Sequence, residues 1–157
     1  MLSPWQTDKA RADRATPAIQ RILGQHLVLV ATEEEDRFEN TDLKILASGA
    51  CRIACRVRAR RYLFPPHPPE YRDQFTIRSE RLSGNETELS KLLKGFGDLF
   101  FYGFSTEDSL DFETWLIGDL GVFRRWFASD GAGRGIHQRN RDGSSEFLAF
   151  NAGFRGY

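Results

Sequence analysis

Residues 52–61 read RIACRVRARR, and this stretch decides how the middle of the chain folds. Ile53, Cys55 and Val57 alternate with Arg56 and Arg58, the period-two signature of a strand with one apolar and one charged face. On its N-terminal side, residues 41–47 alternate in the same way, with Leu43, Ile45 and Ala47 opposite Asp42, Lys44 and Leu46. Ser48, Gly49 and Ala50 between them are few enough for a hairpin, so the two strands are expected to be antiparallel neighbours. On its C-terminal side, FPPHPP at 64–69 is too rich in proline for regular structure and reads as a surface loop or polyproline segment. A third strand follows at 75–81, with Phe75 and Ile77 opposed to Thr76, Arg78 and Glu80. The expectation is one small sheet whose polar face gathers Asp42, Arg56, Arg58, Arg78 and Glu80.

The flanks complete an α/β domain. Residues 1–15 are polar with little periodicity and read as a frayed arm or a loosely held helix. Thr16 and Pro17 then resemble an N-cap and first helical position, and Gly24 closes that helix. The acidic segment 32–40 is a loop or a helical turn. Beyond the third strand, Thr87 caps a helix carrying Leu89, Leu92 and Leu93, and LFFYGF at 99–104 is a continuous apolar run suited to a central strand. An edge strand at 112–117, a helix capped by Asp119 and a last strand at 146–150 follow, while 130–145, rich in Gly, Arg and Asn, reads as a flexible loop. One domain spans 1–157, with a core at 16–104 and a strand-helix-strand extension at 105–157.

Composition narrows the function classes. The chain has 22 Lys and Arg against 22 Asp and Glu, which argues against a protein that coats nucleic acid through bulk positive charge. The basic set is nevertheless dominated by arginine, whose planar fork suits phosphate or carboxylate better than an ammonium does. Cys51 and Cys55 are too few for a disulfide framework and are expected to be reduced, which favours a cytoplasmic setting. No apolar run is long enough to span a membrane, and the N-terminus lacks the apolar stretch of a secretory signal. His26, His67 and His137 are too scattered for metal spacing.

The order helix, strand, strand, strand, helix, strand, carried by EEEDRFENTDLKIL, RIACRVRAR, QFTIRSER, TELSKLLKG and DLFFYGF, resembles the PD-(D/E)XK nuclease core over residues 17–104. The combination is also similar to small uncharacterised bacteriophage proteins of that fold. The resemblance implies a restriction-endonuclease-like mixed sheet of four to five strands flanked by helices, a Mg²⁺ cofactor and DNA as substrate. Asp42 matches the aspartate of the family's first strand. The second-strand motif departs from the pattern, because Arg56-Val57-Arg58 stands where acid-x-lysine is expected, and an arginine neither ligates a metal nor serves as a base.

Active-site groups of this fold can migrate to the helix after the third strand, where Glu88 and Lys91, three apart, share a face. The catalytic set is then Asp42, Glu88 and Lys91. The metal ligands are Asp42, Glu88, Glu35 and Asp36, and Arg56, Arg58, Arg60, Arg61 and Arg78 grip nucleic acid. Each group also has a plain reading: Glu88 as a helix-start acid paired with Lys91, Asp42 as cross-strand neutralisation, the acidic run as a solvated face. The expected activity is a divergent Mg²⁺-dependent DNA endonuclease or resolvase. Its rivals are a catalytically inactive DNA-binding or accessory protein and an effector acting on a host protein. DNA and a second copy of the chain are the expected partners, and a membrane is not.

Overall fold

The computed structural model describes residues 4–24, 28–39, 43–46, 50–140 and 142–151. It is a mixed α/β fold. Helix α1 (Pro4–Leu23) lies against one face of a five-stranded sheet, and a three-stranded sheet with helices α3 (Glu88–Leu93) and α4 (Leu120–Ser129) covers the other. The larger sheet runs β1 (Val28–Val30), β2 (Leu43–Leu46), β3 (Ala50–Arg58), β5 (Leu99–Ser105) and β6 (Phe112–Asp119). The smaller runs β4 (Gln74–Arg81), β8 (Ser145–Asn151) and β7 (Ile136–Arg139). Helix α2 (Glu33–Glu39) links β1 to β2. No helix among the described residues is long and apolar enough to cross a membrane.

Alternation along β3 organises both faces of the larger sheet. Ile53 and Val57 pack with Phe101 against Ala15 and Ile19 of α1, while Ala54 joins Phe100, Tyr102 and Phe104 in the core shared with the smaller sheet. β3 is antiparallel to β2 and parallel to β5, which is buried on both faces as its unbroken apolar run predicts. The expected caps are present: Thr87 Oγ1 accepts from Ser90 N at 3.2 Å and Asp119 Oδ1 from Val122 N at 2.9 Å.

Three expectations change. The N-terminal arm is helical from Pro4, and α1 runs on through Pro17. A proline inside a helix costs about 3 kcal/mol. Ala15, Ala18 and Ile19 are at most 1% exposed, and burying the isoleucine contributes roughly 1.5–3 kcal/mol and each alanine methyl about 0.8 kcal/mol, which together offset the defect. Residues 136–139, expected in a flexible loop, form β7 against β8.

The third change matters most. β4 leaves the sheet that holds β3 and pairs antiparallel with β8, from Gln74↔Asn151 to Arg81↔Ser145. The proline segment causes this, because two short 3-10 turns, Arg60–Leu63 and Pro69–Asp73, carry the chain away from β3 before β4 begins. The segment that follows 104 in sequence supplies strands to both sheets.

Candidate anion-binding cleft

Because β4 sits in the second sheet, its polar face looks toward Arg56 and Arg58 of β3 across a gap instead of lying beside them. That gap is a cleft of about 980 Å³, walled by the first half of α1, the proline loop, α3 and the β7–β8 turn. Among the described residues, nine Lys and Arg line it against four Asp and Glu. A chain of zero net charge has thus segregated cations into its interior groove.

Local structure explains which arginines arrive there. Arg56 and Arg58 share the parity of Ala54 but lie past the point where the apolar core ends. On β4, Thr76 and Arg78 face the cleft while Ile77 faces the core. A β-bulge then intervenes: Arg78 pairs with Phe147 and Glu80 with Glu146, leaving Ser79 as the extra residue. The bulge shifts the alternation by one, so Arg81 returns to the cleft and Glu80 is exposed outside it.

These guanidinium groups are held more by rings than by carboxylates. Arg56 and Arg78, from different sheets, lie 5.5 and 5.3 Å from the centre of the Phe147 ring. Arg58 stacks on Tyr62 at 4.3 Å and donates to Thr76 Oγ1 at 3.4 Å. The Nε–H groups of Arg58, Arg78 and Arg81 are buried and meet no acceptor among the described residues. An unsatisfied buried donor costs about 1–3 kcal/mol.

Burial, followed by repulsion from Arg56 and Arg81 and only partly offset by Glu88, pushes Arg78 down to about 10. It remains a cation at neutral pH. Burial alone would raise the Tyr62 phenol, but a hydrogen bond from Arg61 and the charges of Arg58 and Arg61 together hold it below its ordinary value. A site with these properties favours anions, which would bond the outer guanidinium nitrogens and relieve the mutual repulsion. Scanned against protein-family models, curated proteins and solved structures, the chain matches none.

The residues expected from sequence distribute unevenly around this cleft. Asp36, Arg56, Arg58, Arg61, Arg78, Glu88 and Lys91 line it. Arg60 does not: it is bound to Glu113 at 2.6 Å and stacked on Phe64 at 4.5 Å. Asp42 lies outside the described residues.

The carboxylates are largely engaged. Glu88 Oε2 accepts from Arg78 N at 3.1 Å and lies 3.9 Å from Arg56 Nη1. Glu35 forms a capping box with Thr32, accepting from Thr32 N at 2.8 Å. Asp36 is 3.7 Å from Lys9, and Lys91 donates to the Arg37 carbonyl at 2.6 Å. Among the described residues no three His, Cys, Asp or Glu gather as a ligand set.

Sequence reasoning missed Arg11, Arg81, Arg139, Phe147 and the ring series of Tyr62, His67 and Tyr71, all of which line the cleft. Arg81 is hidden by the bulge. Arg11 depends on α1 reaching back past Thr16, and Arg139 lies in the strand expected to be a loop.

Proposed function

We propose that this protein binds a nucleic-acid strand by its phosphates in the arginine cleft, as a binding or accessory protein. The carrying observation is the lining of the cleft, where among the described residues nine Lys and Arg gather against four Asp and Glu. A fold that holds several guanidinium groups together against their own repulsion, with rings as supports, is matched to a ligand that brings the negative charge. The mixed sheet, with β3 antiparallel to β2 and parallel to β5, supports keeping a nuclease-like fold in view. β4 departs from it. The engaged carboxylates favour binding over metal-assisted hydrolysis.

The test is fluorescence anisotropy with labelled single-stranded, duplex and branched DNA over a salt series. Binding to at least one form is expected, with log K falling against log salt by about 0.7 per phosphate contacted on a single strand or 0.9 on a duplex. Absence of binding to all three at low salt overturns the reading. Glu88→Gln separates binding from hydrolysis. Removing the carboxylate 3.9 Å from Arg56 should strengthen DNA binding, whereas Mg²⁺-dependent, chelator-sensitive cleavage that this variant abolishes would install a phosphodiesterase instead.

A further inference from the structure

One wall of the cleft is a series of neighbouring rings, the first ring pair inclined by 47° and the second closer to parallel. It begins with the Arg58 guanidinium, 4.3 Å from the centre of the Tyr62 ring. Tyr62 and His67 follow with centroids 4.8 Å apart, and His67 and Tyr71 with centroids 6.0 Å apart and planes inclined by only 25°. All three rings are half-buried and line the same cleft as the arginines. Tyr62 is contacted by Arg58 and by His67, whereas Tyr71 terminates the series. Rings placed beside a positively charged groove are the components with which single-stranded nucleic acid is held, since every base has a π-face and stacking tolerates any sequence.

A cleft of about 980 Å³ is at the upper end of small-ligand sites, which run from roughly 300 to 1,000 Å³. That is room for a few nucleotides of an extended strand. Paired and stacked bases in a duplex have no free face to offer Tyr71.

We infer that Tyr71 ends a base-stacking subsite, so that the ligand is single-stranded nucleic acid with a base on the Tyr71 ring and the adjoining phosphates on Arg58 and Arg61. The inference rests on the phosphate-binding reading above and adds the strandedness of the ligand.

Three probes of nearly equal phosphate number separate the two levels: an oligothymidylate, an abasic chain of the same length, and a duplex of half that length. The oligothymidylate should bind roughly tenfold more tightly than the abasic chain. Tyr71→Leu should bring it down to the abasic affinity and Tyr71→Phe should keep the preference, with circular dichroism confirming that both variants fold. Equal affinity for oligothymidylate and abasic chain, or a preference for duplex, would sink the stacking subsite while leaving phosphate binding in place. No affinity for any of the three would remove both.

Discussion

Arg78 combines three roles that a surface arginine does not. Its backbone N–H donates to Glu88, its guanidinium lies over the Phe147 ring that also carries Arg56, and its Nε–H is buried without an acceptor among the described residues. Because its folded pKa is depressed to about 10, the charged form is disfavoured by folding. That penalty is fully present below about pH 10 and fades as pH rises toward the unfolded value. Arg78→Met keeps the apolar stem and the backbone donor while removing the charge. It should weaken DNA binding and at the same time raise Tm by roughly 2–4 °C, the shift expected for about 1 kcal/mol in a domain of this size. A drop in Tm in a thermal melt would mean that Arg78 serves the fold more than a ligand.

Among the elements, β5 carries a tight constraint. A Cβ on Gly103 would lie 2.5 Å from the Phe112 ring, which is itself packed edge-on against Phe101 at 5.0 Å. Gly103→Ala should therefore destabilise the protein by about 1–3 kcal/mol, read as a lower urea midpoint at unchanged slope. The positions of β2, β3, β4 and β5 and the faces of β3 and of β4 as far as Arg78 were legible in the sequence, because alternation reports which side chains share a side; past Arg78 the bulge breaks that alternation. The partner of β4 was not, since alternation carries no information about which sheet a strand joins. That choice was made by the detour through 60–73 and by pairing with β8, distant in sequence. The caps at Thr87 and Asp119 were legible as local chemistry. The start of α1 was not, because Thr16 and Pro17 are a local start signal overruled by burial of Ala15, Ala18 and Ile19.

At the scale of the whole molecule, charge is sorted by location. The arginine cluster at 52–61 divides between two environments, with Arg61 on the cleft and Arg60 outside it in an ion pair with Glu113. If binding is confined to the cleft, Arg61→Gln should weaken DNA binding and lower the salt slope, while Arg60→Gln should leave both unchanged. Equal losses in the two variants, measured by anisotropy, would indicate a diffuse basic surface. This division explains why the candidate site was only partly visible beforehand. Residue type and spacing pointed to arginines and phosphate, but Lys9, Arg11, Arg81 and Arg139 come together only through the packing of α1 and the second sheet.

The bulge at Ser79 makes the sign of one cleft position a matter of counting. Straightening the strand with all its residues kept, so that Ser79 instead of Glu80 lay opposite Glu146, would re-phase the end of β4, withdrawing Arg81 and presenting Glu80 in its place, a change of two charge units produced without substituting any side chain that lines the cleft. In proteins descended from a common ancestor with this one, the presence of the bulge at this point would therefore govern ligand preference as strongly as residue identity does.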